Sequence, residues 1–177
     1  MSTNKKNDLS KIKLLVMDVD GVLTDGSIVI HSDGSESKCF NSLDGQGIKF
    51  WQAAGNMTAF LSGRQSEPTQ RRAKGLGVNF CIQNAQIKLP KLRELARKNN
   101  LSAENIAYIG DDLPDLPPIL YCGFGVAVLN AAEEVKKNCD YITKKPGGSG
   151  AVREVVEYIL KKTGKWHSVI EQYMNIE

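Results

Sequence analysis

The sequence lacks long hydrophobic runs, a hydrophobic leader and an excess of charge of one sign. No stretch of roughly 18 apolar residues occurs and the N-terminal segment is polar, so neither a membrane span nor a secretion signal is expected. The 23 Lys and Arg residues nearly balance the 20 Asp and Glu residues, and a net charge of +3 does not favour nucleic acid or a membrane as a partner. We therefore expect a cytoplasmic chain whose partners are indicated by its specific sites.

Paired cysteine motifs are also missing. The four cysteines, Cys39, Cys81, Cys122 and Cys139, are far apart and form no CxxC pair, so neither a zinc site nor a redox motif is encoded. A domain of this size needs no disulfide, and buried reduced thiols are expected. The 177 residues, 41% of them hydrophobic, are enough for about one domain with its own core.

Short apolar runs alternate with amphipathic stretches along the chain. The runs predict strands at residues 13–18, 57–62, 78–83, 105–110, 125–128 and 140–143. The amphipathic stretches predict helices at about residues 44–54, 65–75, 86–99, 113–121, 131–138 and 150–162. This alternation indicates an α/β fold in three layers, a Rossmann-like parallel sheet with helices on both faces.

One segment departs from the alternation. Residues 27–40 contain an Asp33-Gly34 pair between two alternating arms, and this dipeptide is typical of a tight β-hairpin turn. We expect a hairpin projecting just after the first strand. The prediction is a single domain over residues 1–177, with a core at about 12–163 and a C-terminal tail at 164–177 that shows no interpretable pattern.

Polar residues directly follow several of the apolar runs. In an open parallel sheet the carboxyl ends of the strands meet at one edge, where ligands bind. Clustered carboxylates are typical ligands of Mg²⁺. A hydroxyl and an ammonium group can bind a phosphate that also coordinates the metal. The residues placed at this edge are Asp18 and Asp20, Ser62 and Gly63, Lys88, Asp111 and Asp112, with Asp115 one helical turn further on.

Asp18 and Asp20 would repel each other if both were bare carboxylates on the same face of a strand. A metal resolves this conflict if it takes the Asp18 carboxylate and the backbone carbonyl of Asp20, which leaves the Asp20 side chain free to carry a proton. Each motif alone also fits a structural role, as turn acids, a solvated lysine or helix N-terminal acids. A phospho-receiver domain is a further alternative, but it would need an Asp after the third run, where Gln83 stands.

The order of these motifs resembles the haloacid dehalogenase superfamily of aspartyl phosphatases. Over about residues 12–166 the chain is similar to one branch, the 3-deoxy-D-manno-octulosonate 8-phosphate phosphatase family, which has no cap domain. The matching segments are DVDGVLTDG, CFNSLDGQGI, LSGRQS, IGDDLPDLP and KKPGGSGAVREV. The departures are mild: Ser62 replaces the usual Thr, Ile87 replaces a polar residue, and Pro114 and Pro118 flank the last acidic motif.

The resemblance implies a Mg²⁺-dependent phosphatase. Asp18 would be the nucleophile that forms an aspartyl-phosphate, and Asp20 the proton donor and acceptor. The metal would be held by Asp18, Asp20 and Asp111, with Asp112 or Asp115 orienting its waters. Ser62, Gly63 and Lys88 would hold the phosphate oxygens.

The resemblance also implies a small sugar acid phosphate as the substrate. Arg64 is the candidate for its carboxylate and favours the eight-carbon acid, because related phosphatases of nine-carbon ulosonates tend to carry Glu there. Arg153 would close over the site from a glycine-hinged segment. A homotetramer assembled through the hairpins is expected from the same resemblance. A phosphatase for a different sugar acid, or a non-catalytic module that tetramerises a partner enzyme, remains an alternative.

Overall fold

The structure is a computed structural model that describes residues 8–174. Six parallel strands form the central sheet and two short antiparallel strands form a separate hairpin. The central strands are β1 (Leu14–Met17), β4 (Met57–Leu61), β5 (Phe80–Ile82), β6 (Ile106–Gly110), β7 (Phe124–Ala127) and β8 (Tyr141–Ile142), and the hairpin strands are β2 (Val29–Ile30) and β3 (Glu36–Ser37).

Helices connect the strands and follow the last one. They are α1 (Ser42–Ala53), α2 (Glu67–Leu76), α3 (Lys88–Lys98), α4 (Leu116–Tyr121), α5 (Glu133–Lys136), α6 (Ala151–Lys162) and α7 (Trp166–Met174). Short 3-10 turns occupy Leu9–Lys11, Ala103–Asn105 and Leu113–Asp115. The alternation predicted from the sequence is confirmed.

The chain reverses its direction of travel across the sheet at β1. The strand order is β5-β4-β1-β6-β7-β8, so the chain first moves to one side of β1 and then returns to the other. Because parallel crossovers are right-handed, this reversal places the connecting helices on both faces. It differs from the order of the flavodoxin-like sheet typical of receiver domains and leaves a crevice at the carboxyl end of β1.

The hydrophobic core explains why β1 can present acids at its end. All of β1 is buried, and it pairs in register with β4 on one side, Met17 opposite Phe60, and with β6 on the other, Met17 opposite Ile109. A strand with both faces and both edges covered is rigid, so the next residue, Asp18, has a fixed position. Its backbone N–H donates to the Ile109 carbonyl, which extends the ladder by one residue.

The hairpin projects from the chain between β1 and α1. Val29 pairs with Ser37 and Ile30 with Glu36, around a turn in which Gly34 has φ +83°. That backbone conformation favours glycine. In the described residues, the connection from β1 to α1 carries this hairpin and no cap domain.

Two expectations need correction. The tail is helical over Trp166–Met174, and the rings of Trp166 and Tyr173 pack nearly perpendicular to the ring of Phe50 of α1. Residues 175–177 of the predicted tail and 1–7 of the predicted domain lie outside the described residues. The four thiols are free as expected but only Cys122 is buried, whereas Cys39 is exposed.

Among the described helices, none has the length and apolar character that crossing a bilayer requires.

Candidate active site

The predicted polar residues meet in a cavity of about 280 Å³ at the carboxyl end of β1. This is the point where the strand order reverses. The lining includes nine of the residues singled out from the sequence: Asp18, Asp20, Ser62, Gly63, Arg64, Lys88, Asp111, Asp112 and Asp115.

Lys88 is the centre of the cluster. It is the first residue of α3 and only 5% exposed, and its Nζ lies 2.8 Å from Asp18 Oδ1 and 2.6 Å from Asp115 Oδ1. Burial lowers the pKa of Lys88, but the two carboxylates outweigh burial and the net pKa is raised. The ammonium group therefore stays charged and joins Asp115, in the loop after β6, to Asp18 at the end of β1.

Asp115 organises the loop that follows β6. Its Oδ1 also accepts a hydrogen bond from the Tyr108 hydroxyl at 2.6 Å, and its Oδ2 accepts from the backbone N–H groups of Asp111 and Asp112 at 3.2 and 3.4 Å. Both carboxylate oxygens of Asp115 therefore accept hydrogen bonds from donors within the protein. Asp112 is more exposed, and its Oδ1 accepts from the backbone of Leu113.

Asp18 and Asp111 are held unusually close for two acids. Burial raises the pKa of Asp18 to about 6, with the Asp115 charge adding to the shift and Lys88 opposing it. Burial likewise raises the pKa of Asp111 to about 8, with Asp18 and Asp115 adding to the shift. Oxygens of these three residues lie within 4.8 Å of one another, and Asp111 Oδ1 is buried without a hydrogen-bond partner.

This donor set fits a divalent cation. Hard oxygen ligands of negative charge suit Mg²⁺, and a cation between Asp18 and Asp111 would stabilise the charged forms that burial and the neighbouring acids disfavour. The close approach depends on Gly21, which has φ +93° and faces Asp111 so closely that a Cβ would overlap its carboxylate.

Asp20 lies at the mouth of the cavity and is held by two cations. Lys38 Nζ donates to Asp20 Oδ1, and Arg64 Nη1 lies 3.8 Å from Asp20 Oδ2. Arg64 is itself anchored, because its Nη2 donates to Glu36 Oε2 at 2.9 Å. Sequence reasoning missed Lys38 and Glu36, although their spacing of two residues in a hairpin arm was a usable signal that both side chains share a face.

Ser62 and Gly63 follow β4 at the opposite wall. Ser62 is 3% exposed, and its Oγ accepts from the backbone N–H of Arg64 at 3.1 Å. The Ser62 backbone is fixed on both sides, since its N–H donates to the Ile82 carbonyl and its own carbonyl accepts from Ala85. The hydroxyl can still donate its proton to an anion in the cavity.

The loop after β8 supports the back of the catalytic loop, residues 18–24. Gly147 packs so closely that a Cβ would overlap the Gly21 carbonyl oxygen, and the Gly148 N–H donates to the Val22 carbonyl at 2.9 Å. The buried Asp44 of α1 holds the end of the loop after β8, because its carboxylate accepts hydrogen bonds from the backbone N–H groups of Gly150 and Arg153 at 3.0 and 3.1 Å. Asp44 therefore caps a helix that begins far away in the chain, a role that sequence reasoning missed.

The structure does not bring Arg153 to the cavity. Its guanidinium lies 4.2 Å from the ring centre of Phe50 and 5.7 Å from that of Trp166, and its Nε pairs with Glu157 one turn along α6. The charge of the Arg153 guanidinium is therefore compensated by Glu157 and by the aromatic rings of α1 and α7. The expectation that Arg153 closes over the substrate is therefore replaced by a packing role between helices.

Comparison with known proteins agrees with this architecture. The haloacid dehalogenase-like hydrolase family matches residues 82–155, which include Lys88, Asp111 and Asp115. The 3-deoxy-D-manno-octulosonate 8-phosphate phosphatase KdsC of Salmonella typhi is 38% identical over 93% of this chain and 88% of its own length. The enzyme of the same name from Haemophilus influenzae is 40% identical over 89% of this chain and 87% of its own.

Solved structures give the same result. The 3-deoxy-D-manno-octulosonate 8-phosphate phosphatase of Moraxella catarrhalis, in complex with magnesium, phosphate and KDO, has a TM-score of 0.91 at 42% identity and covers 95% of this chain and 99% of its own. The cobalt-bound Haemophilus influenzae enzyme has a TM-score of 0.86 at 39% identity, covering 89% of this chain and 92% of its own. With this identity over most of both chains and the acidic cluster at β1, the chain belongs to the 3-deoxy-D-manno-octulosonate 8-phosphate phosphatase family of haloacid dehalogenase-like hydrolases.

Proposed function

We propose that this chain is a Mg²⁺-dependent phosphatase that hydrolyses 3-deoxy-D-manno-octulosonate 8-phosphate to the free sugar acid and inorganic phosphate. The observation that carries the proposal is the arrangement of Asp18, Asp111 and Lys88 in one cavity, with Asp20 at its mouth. The family supports the same reaction, and the Moraxella catarrhalis relative binds magnesium, phosphate and KDO.

Hydrolysis proceeds in two steps. A carboxylate oxygen of Asp18 attacks phosphorus, the bond from phosphorus to the sugar oxygen breaks, and Asp20 gives its proton to the departing alkoxide. A water molecule then attacks phosphorus of the aspartyl-phosphate, Asp20 takes a proton from that water, and the bond from phosphorus to Asp18 breaks. Asp18 is thereby regenerated and inorganic phosphate is released.

Magnesium is held in this proposal by the Asp18 and Asp111 carboxylates and the backbone carbonyl of Asp20. When bound, it supplies positive charge that offsets the repulsion between the nucleophile and the phosphate dianion. Asp115 keeps Asp111 in position through the backbone N–H groups of the loop. Asp112 lines the cavity near its opening and is proposed to orient metal-bound water.

In this proposal, donors from two elements, the end of β4 and the start of α3, bind the phosphate. The Ser62 hydroxyl and the Gly63 N–H approach from the end of β4. Lys88 has three N–H donors, of which two are directed to Asp18 and Asp115, so the third is available for a phosphate oxygen. These groups are fixed before substrate arrives, as electrostatic stabilisation of a phosphoryl transition state requires.

Arg64 is proposed to recognise the substrate carboxylate. Its side chain lines both the catalytic cavity and an adjoining cavity of about 600 Å³ between the hairpin and the start of α2. A sugar acid with its phosphate at Asp18 can extend past Arg64 into this second space. Arg64 Nη1 makes no hydrogen bond and lies 3.8 Å from Asp20 Oδ2, so its N–H donors are not committed to a protein acceptor and are proposed to pair with the substrate anion.

The hairpin is proposed to mediate assembly of a single-domain chain into a homotetramer. Ile28, Val29 and Ile30 are 54%, 45% and 71% exposed, which is unusual for large aliphatic residues. An isolated two-stranded hairpin is marginally stable in water, so pairing with hairpins of other copies would bury these side chains. The free thiols support a cytoplasmic location.

Replacing Asp18 by Asn should lower phosphate release by several orders of magnitude, because the change removes the nucleophile and a metal ligand together. Asp20→Asn keeps the backbone carbonyl, so it should still bind Mg²⁺ in a metal-binding titration while turnover is lost. Activity is measured as phosphate release from the octulosonate 8-phosphate, with thermal unfolding as a check on folding. An Asp18→Asn protein that retains more than a few per cent of turnover contradicts covalent catalysis.

Replacing Arg64 by Glu should weaken hydrolysis of the sugar acid phosphate far more than that of a neutral sugar phosphate. A charge-assisted bidentate contact is worth about 1.5 to 3 kcal/mol, or about 10- to 150-fold in kcat/KM. The measurement is kcat/KM over a panel of eight-carbon, nine-carbon and neutral sugar phosphates with Mg²⁺ or EDTA. Equal losses across the panel would assign Arg64 to phosphate binding or to the fold.

The raised pKa values of Asp18 and Asp111 predict how stability depends on pH without metal. Each group binds its proton more tightly when folded than when unfolded, so folding is favoured below its ordinary pKa of 3.8 and this contribution is lost as pH rises to about 6 and about 8. In EDTA, the melting temperature should therefore fall between pH 5 and pH 8, and less so in Asp111→Asn. Mg²⁺ should stabilise the wild type more at pH 8 than at pH 5.

The control for this series is Asp112→Asn, which changes a neighbouring but more exposed acid. It should follow the wild-type pH dependence. If Asp111→Asn and wild type lose stability in parallel in EDTA, the titration of Asp111 does not contribute to the pH dependence of folding.

Light scattering should give about four times the 19.4 kDa mass of the chain if the hairpin assembles a tetramer. Replacing Ile28 and Ile30 by Asp should yield smaller species, because charged side chains would be buried at the interface. A wild-type protein that remains monomeric at micromolar concentration would refute this assembly.

A further inference from the structure

The second hairpin strand directs two charged side chains toward the catalytic loop. Glu36 and Lys38 are two residues apart, so in extended backbone they lie on the same face. Lys38 contacts Asp20, and Glu36 contacts Arg64. The opposite arm carries the exposed aliphatic residue Ile30, so the hairpin has one polar side toward the site and apolar side chains exposed elsewhere.

Lys38 is buried far more completely than a lysine near a protein surface usually is. Its side chain is 2% exposed, whereas that of Asp20 is 20% exposed and that of Arg64 is 37% exposed. A buried ammonium group is costly unless it is paired and hydrogen-bonded. Its partner here is Asp20 Oδ1, so the cost of burying Lys38 is offset by the contact with the side chain proposed to move protons.

The contacts leave one carboxylate oxygen of Asp20 engaged and the other accessible. Oδ1 is bound by Lys38, whereas Oδ2 faces Arg64 Nη1 at 3.8 Å, beyond hydrogen-bond distance. A carboxylate held at one oxygen has a fixed direction and presents its other oxygen to the cavity. Proton transfer needs this placement, because donor and acceptor must come within about 3 Å of each other.

We propose that Lys38 is a positioning residue for Asp20, which holds the acid so that its free oxygen faces the leaving group. This inference rests on the proposed phosphatase function and adds the hairpin to the residues that serve the reaction. Lys38 does not touch the substrate in this proposal. Its effect on the rate therefore passes through Asp20 and depends on how much protonation the leaving group needs.

The test compares substrates whose leaving groups differ in their need for a proton. Lys38→Met keeps the length of the side chain and removes its charge. It should lower kcat/KM for the alkyl ester, the octulosonate 8-phosphate, by about 100-fold, the scale of a misplaced general acid. For p-nitrophenyl phosphate the loss should be no more than about threefold, because nitrophenolate departs without a proton.

A double-mutant cycle shows whether Lys38 acts through Asp20. In the Asp20→Asn background, Lys38→Met should cost little further activity, since two residues that act as a unit are not additive. Lys38→Arg retains a donor for Asp20 and should recover much of the activity on the alkyl ester. Lys49→Met removes the charge of an exposed lysine of α1 and serves as the matched control, with activity unchanged.

Equal losses on both substrates, or losses that add to those of Asp20→Asn, would overturn the proposal and leave Lys38 as an anchor of the hairpin. A Lys38→Met protein with unchanged activity on the alkyl ester would also overturn it. Melting temperatures of all variants are measured so that unfolding is recognised as a separate effect. If the wild type hydrolyses neither substrate, the proposed function itself fails.

Discussion

Three carboxylates and one ammonium group share a space from which water is largely removed, and this cluster constrains most of the structure around it. Burial together with the neighbouring acids raises the pKa values of Asp18 and Asp111, although Lys88 opposes both shifts. The fold nevertheless holds them there. Buried strands, the Gly21 backbone and the hydrogen bonds to Asp115 together prevent the acids from moving apart.

The strain of this arrangement serves catalysis if a cation and a phosphate bind there. A cluster that is unfavourable when empty becomes favourable when opposite charge arrives, so part of the stability of the folded protein is coupled to its ligands. The mouth of the cavity is different, because Lys38, Asp20, Arg64 and Glu36 alternate in sign. These charges balance each other within the protein, and their contacts fix the orientation of the four side chains.

The central part of this site could be predicted from the sequence because it depends on strand ends. Parallel strands bring their carboxyl ends to one edge, so the residues after β1, β4 and β6 meet whatever the details of the helices. Lys38, Glu36 and Asp44 could not be placed in this way, because their positions depend on where the hairpin folds back and how α1 crosses α6. Arg153 was misplaced for the same reason, since its contacts with Phe50 and Trp166 form between helices. The helical tail did carry a signal that was overlooked, with Trp166, Val169 and Tyr173 spaced to lie on one face.

The support that the loop after β8 gives to the catalytic loop has a consequence for the order of folding. Asp18 precedes Gly147 and Gly148, which pack against its loop, by most of the domain, so it is synthesised well before them. The cap that joins α1 to α6 spans 106 residues between Asp44 and Gly150. Contacts between such distant segments form late, so a growing chain on the ribosome contains Asp18, the proposed nucleophile, long before it has a rigid site around that residue.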